Sequence, residues 1–125
     1  YLFSHFRGEE WRTQKETRRL LDKYFTTAPD GIPGNDDTGT MSAWAVFTML
    51  GLYPDCPGEP YYTLTAPVFD RAEIDTDGGT LVIEKRGEGY IRKMTLGDKP
   101  LTKYRVGHDE LLRGGKLTFE LKNER

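Results

Sequence analysis

Apolar and polar positions change their period once along this chain, in the stretch from Tyr53 to Pro60. Before it the spacing is helical. Leu20 and Tyr24, and likewise Leu21 and Phe25, stand four apart on the inner face of a helix predicted from about Glu9 to Phe25. Glu9 and Glu10 fall in its first turn and Arg18, Arg19 and Lys23 towards its end, a polarity that suits the helix dipole. Tyr1 to Phe6 read as the tail of a preceding helix, stopped at Gly8. "TTAPDGIPGN" is a loop dense in proline, glycine and aspartate. A further helix is predicted from about Thr38 to Leu50, ending at Gly51. Met41, Ala43, Trp44, Ala45, Val46, Phe47, Met49 and Leu50 cover nearly all of its sides, so it should be buried on most faces, with packing partners outside this chain.

Beyond "YPDCPGEP" short alternating runs take over: "YYTLT", "AEIDT", "TLVIEK", "YIRKMTL" and "KLTFELK". Asp77-Gly78-Gly79, Gly87-Glu88-Gly89, Gly97-Asp98 and Gly114-Gly115 separate them as turn signals. The pattern predicts an antiparallel β meander, part of a sandwich. The expected class is α+β, with a helical portion over 1–52 and a β portion over 53–125.

Composition narrows the possibilities. A chain of 125 residues makes one small domain with a modest core, and its plentiful aromatics argue against disorder. A net charge of −2 offers no polybasic surface for nucleic acid, and no apolar run approaches the roughly 20 residues that span a bilayer. "YLFSHFRGEE" is not a signal peptide. It also lacks an initiator Met and opens on an apolar patch, so the chain reads as a piece of something longer, whose targeting stays unknown. Cys56 is the only cysteine, which excludes an intrachain disulfide and a cysteine-based zinc cage.

Candidate chemistry centres on "PGNDDTGTMSAW", Pro33 to Trp44. Asp is a favoured N-cap, which accounts for one of Asp36 and Asp37. Two carboxylates at a loop mouth are also what acid–base work on a water molecule needs. The residues alone leave both readings open. "EIDTDGGTLVIE" places Glu73, Asp75, Asp77, Gly78 and Glu84 at EF-hand positions, yet it starts on Glu and runs into a strand pattern, so a β-hairpin is expected rather than a calcium loop. His5 and His108 lack metal-ligand spacing and read as structural. Ser4, Ser42 and Cys56 lack a nucleophile-elbow context. Trp11 and Trp44 are placed in the core rather than on a sugar ring.

The order of the pieces carries more. "YLFSHFRGEEWRTQKETRRLLDKYF", a short loop, "DGIPGNDDTGTMSAWAVFTMLGLYPDCPGEPYY" and "APVFDRAEI" together resemble the C-terminal part of glycoside hydrolase family 92, the calcium-dependent exo-α-mannosidases. The match covers nearly the whole chain and is strongest from Asp30 to Ile74.

The resemblance implies that residues 1–52 are the last helices of an (α/α)6 barrel and that 53–125 form a C-terminal β portion. It implies inverting hydrolysis of terminal α-mannosides, mannose-containing glycans as partners alongside the remainder of the parent chain, calcium as cofactor with ligands not assignable here, and a lean towards secreted, periplasmic or cell-surface proteins. By position in the motif Asp37 becomes the general base and Asp36 the runner-up or supporting carboxylate, with Asn35 orienting the same water. Thr38 and Thr40 stand where relatives commonly carry Cys and Gln. The family's glutamic acid and its His-Glu segment lie upstream of Tyr1, so the isolated chain is expected to be inactive. The competing readings are a β-rich carbohydrate-binding module without chemistry of its own and a purely structural domain.

Overall fold

The computed structural model describes residues 1–28, 31, 32, 34 and 36–124. A 3-10 turn over Leu2–His5 leads through Gly8 into helix α1, Glu10–Tyr24. A second 3-10 turn, Asp37–Gly39, opens directly into α2, Thr40–Leu50. There follow β1 (Leu52–Tyr53), β2 (Tyr61–Leu64), β3 (Arg71–Thr76), β4 (Gly79–Arg86), β5 (Tyr90–Leu96), β6 (Lys99–Leu101) and β7 (Arg105–Gly107), then α3 (His108–Gly114) and β8 (Lys116–Lys122). The class is α+β.

The strands make two sheets. One has the order β1-β2-β7, the other β3-β4-β8-β5-β6. Leu52, Leu64 and Val106 from the first share a hydrophobic core with Ile83, Met94 and Phe119 from the second. All five predicted strands are present. β3 and β4 form the hairpin expected over Glu73–Glu84, Thr76 pairing with Gly79 across a two-residue turn.

The antiparallel meander is corrected to a mixed arrangement. β8 lies between β4 and β5, parallel to the former and antiparallel to the latter, with Ile83 opposite Leu117 and Met94 opposite Phe119. A central position suits β8 because Leu117 and Phe119 are wholly shielded from water there. Gly87-Glu88-Gly89 is therefore not a hairpin turn between paired strands. It arches over the end of β8, where a Cβ on Gly87 would sit 2.4 Å from the Leu121 carbonyl oxygen and one on Gly89 2.3 Å from that of Lys122. Parallel pairing needs a crossover, and α3, unforeseen from the sequence, lies in the connection that brings the chain into β8. Its sequence is short but correctly poled: Asp109 and Glu110 in the first turn, Arg113 in the last.

The helices also differ from expectation in what they bury. The inward face of α1 is largely polar, Thr13, Gln14 and Thr17 beside Leu21, while Tyr24 stands exposed. α2 buries only Ala45 and Thr48 fully, and Val46 is 55% exposed. One side of α2 meets the small sheet, where the Phe47 ring packs 6.1 Å from Tyr53 and 6.4 Å from Tyr62. An adjoining side borders an apolar hollow of about 520 Å³ between α1, α2 and the N-terminal 3-10 turn, lined by Leu20, Tyr24, Phe25, Met41 and Trp44 among others.

Candidate active-site loop and family relationship

Asp37 opens the short 3-10 turn that feeds α2, and Asp36 immediately precedes it. The start of any α-helix leaves backbone N–H groups without intrahelical partners. Asp36 answers this from four residues before the first helical position. Its Oδ1 accepts the N–H of Met41 at 2.8 Å and of Ser42 at 3.0 Å, and its Oδ2 accepts the Ser42 hydroxyl at 2.8 Å. These bonds favour the charged form and hold the Asp36 carboxyl below the usual carboxylate range, the contacts with Ser42 contributing most.

Asp37 is held differently. Its carbonyl oxygen accepts the Thr38 hydroxyl at 2.6 Å and also the Thr40 hydroxyl. Among the described residues nothing hydrogen-bonds its carboxylate, which is exposed. Thr38 is the one non-glycine residue with positive φ among those described, at φ 55° and ψ 25°, and Gly39 follows at φ 77°. A β-branched residue in the left-handed region is an outlier that its surroundings must enforce. The loop thus holds one carboxylate that accepts three hydrogen bonds from the start of α2 and one that accepts none from the described residues.

Other predicted positions fall as follows. Asn35 lies outside the described residues. His5 Nε2 bonds Asp55 Oδ2 at 2.9 Å, and Asp55 Oδ1 takes the Thr63 hydroxyl at 2.8 Å, so His5 pins the N-terminal turn to the loop before β2. His108 Nδ1 meets the Tyr62 hydroxyl at 2.8 Å. Trp44 stacks on Phe25 with centroids 5.4 Å apart. Arg12 and Lys15 lie over the Trp11 ring at 5.4 and 5.9 Å. Neither Asp36 nor Asp37 is among the described residues lining the large apolar hollow.

Ser42 is the contact that sequence reasoning missed. A capping box spans three residues; Asp36 and Ser42 are six apart and meet only because Thr38 and Gly39 turn the backbone left-handed between them. No group of three or more His, Cys, Asp or Glu among the described residues converges to hold a metal ion.

Comparison with known proteins agrees with the motif. Residues 1–123 match the catalytic domain of glycosyl hydrolase family 92. A protein of Arthroderma benhamiae described as an uncharacterized secreted glycosidase is 32% identical over 96% of this chain. Two solved structures from Bacteroides thetaiotaomicron superpose well. A family 92 inverting mannosidase has TM-score 0.81 and 34% identity over 91% of the chain; a family 92 α-mannosidase has TM-score 0.79 and 28% identity over 93%. The second has also been solved in complex with mannoimidazole. In each case the chain spans 16% of the relative's own length. With residues 1–123 of its 125 matched by the family model, this chain belongs to glycosyl hydrolase family 92.

Proposed function

We propose that this chain forms the general-base portion of an inverting exo-α-mannosidase, with Asp37 as the base. The observation that carries the assignment is the division of labour in the loop. Asp36 spends both carboxylate oxygens on α2, whereas the Asp37 carboxylate has no hydrogen-bond partner among the described residues. A carboxylate whose lone pairs are not already committed to donors is the better proton acceptor.

In the proposed reaction Asp37 accepts a proton from a water molecule. The water oxygen attacks the anomeric carbon of a terminal α-mannoside from the face opposite the leaving group. The glycosidic C–O bond breaks, and an acid outside this chain protonates the departing oxygen. Inversion requires room for that water, so the acid's carboxyl is expected roughly 6.5–9.5 Å from Asp37. Asn35 is proposed to orient the water. Family membership supports mannose-containing glycans as ligands, and the secreted fungal relative supports a place outside the cytoplasm; among the described residues no helix is long and apolar enough to cross a membrane. Calcium belongs to the proposal through the family alone, and no step is routed through it.

Residues 1–52 are proposed as the last helices of the (α/α)6 barrel and 53–125 as the β portion beside it. The test is Asp37→Asn in the full-length protein, assayed on an aryl α-mannoside. Asn keeps the shape and removes the proton acceptor, so kcat should fall at least about 10²-fold with circular dichroism unchanged. Near wild-type kcat in both Asp37→Asn and Asp36→Asn would remove the loop from the chemistry.

A further inference from the structure

We infer that Asp36 and Ser42 are positioning residues: together they clasp the loop onto the start of α2 and so fix where Asp37 stands. This rests on the reading of Asp37 as general base, and it gives Asp36 a role that acts through the helix rather than on the reacting atoms.

Three bonds make the clasp: Met41 N–H and Ser42 N–H to Asp36 Oδ1, and the Ser42 hydroxyl to Oδ2. They close a small ring of backbone that contains Asp37, Thr38 and Gly39. Inside the ring the Asp37 carbonyl is itself tied by the Thr38 and Thr40 hydroxyls. Constraints therefore act on both sides of the Asp37 α-carbon, one through its predecessor's side chain and one through its own carbonyl.

The backbone of Thr38 supplies the reason a clasp is needed. A left-handed, β-branched residue is unfavourable in isolation and persists only where neighbouring contacts over-determine it. With the clasp open, Thr38 relaxes and Asp37 moves with it. Displacing a reacting group by about 1 Å costs on the order of 10²-fold in rate. Ser42 matters because, among the described residues, it alone touches both Asp36 oxygens, through its amide and its hydroxyl.

Four variants of the full-length protein test this on an aryl α-mannoside. Asp36→Asn keeps a carbonyl oxygen for the two N–H groups and loses the charge; Asp36→Ala loses the clasp entirely. The expected result is that Asp36→Asn exceeds Asp36→Ala in kcat by about tenfold or more. Ser42→Ala should lower kcat several-fold with KM little moved, and Ser42→Thr, which keeps the hydroxyl, should recover most of it. Equal impairment of Asp36→Asn and Asp36→Ala would make Asp36 a reacting group and overturn the inference. Wild-type kcat in Ser42→Ala would overturn it as well, and the Ser42 pair decides alone if Asp36→Ala does not fold. Asp37→Asn run alongside separates the two levels: retained kcat there rejects the base assignment, whereas loss there with an unaffected Ser42→Ala rejects only the clasp.

Discussion

Gln14 on α1 accepts the backbone N–H of Ile91 on β5 through Oε1 at 2.8 Å, and both residues are buried. The two stand 77 positions apart. Ile91 lies beside the register shift between β5 and β8, at Ile91/Lys93. The helix thus meets strand backbone here, and a polar face is what that contact requires. Thr17 continues the face, its hydroxyl 3.3 Å from that of Thr65 after β2.

Gln14→Leu keeps much of the side-chain bulk and leaves the Ile91 N–H dry and unpaired. An unsatisfied buried donor costs roughly 1–3 kcal/mol. Urea denaturation should show that loss, and the Ile91 amide should exchange faster with deuterium. An unchanged midpoint would mean the bond contributes nothing net.

If Asp37 removes a proton from water, a nucleophile that needs no deprotonation should bypass its loss. Azide added to full-length Asp37→Asn is expected to raise kcat and to yield the glycosyl azide of inverted configuration, identified by proton NMR. Lack of any azide-dependent product, with azide tolerated by the wild type, would count against Asp37 as the base.

The isolated 125-residue chain should not turn over an aryl α-mannoside at a useful rate. Acid and base contributions are each worth on the order of 10²–10⁴-fold, and the proposal places the acid outside this chain. Release of the aryl group by purified chain at the rate of a full family member would sink the division of roles.

Lys85 on β4 is buried at an inward position, with its side chain 2% exposed and Nζ 2.9 Å from Glu88. Asp70 Oδ1 is the more distant second partner, at 4.0 Å. Replacing a buried charge by a similar apolar shape is often neutral or better, whereas removing its nearest partner leaves the charge poorly compensated. Lys85→Met should stay within about 1 kcal/mol of wild type. Glu88→Ala should be the more destabilising of the two, by thermal melting. The reverse order would show that the pair is not what tolerates Lys85 in the core.

Several carboxyls are held below their ordinary range by donors: Asp36 by Ser42 and Met41, Glu84 by Lys116, Glu88 by Lys85 and Glu110 by Lys99. A carboxylate depressed on folding stabilises the fold above its unfolded value, about 4, and loses that contribution as pH falls towards its lower folded value. Melting temperature should therefore be nearly flat from about pH 7 to 5 and fall below about pH 4. A melting temperature that rises on acidification from pH 5 to 3 would contradict this.

Elements that rest on local chemistry are legible in the amino-acid sequence. The i,i+4 pairs and charge polarity of α1, the Asp77-Gly78 turn of the β3–β4 hairpin and the alternation of β8 all depend on neighbours a few residues away. The motif around Asp36 and Asp37 was legible for the same reason, and it carried the family. The order of the strands and the hydrogen bonding of the two aspartates depend instead on contacts between distant segments. Whether β5 or β8 lies beside β4 depends on which partner buries more apolar surface, and Leu117 and Phe119 are far from β4 in the chain. Gly87 and Gly89 signal a turn equally well in either topology. Asp36 and Asp37 are chemically identical, and no local rule separates them. Only the left-handed step at Thr38 and Gly39 brings Ser42 to Asp36 and leaves Asp37 in water, because which carboxylate meets the helix N–H groups depends on the path of the backbone between them.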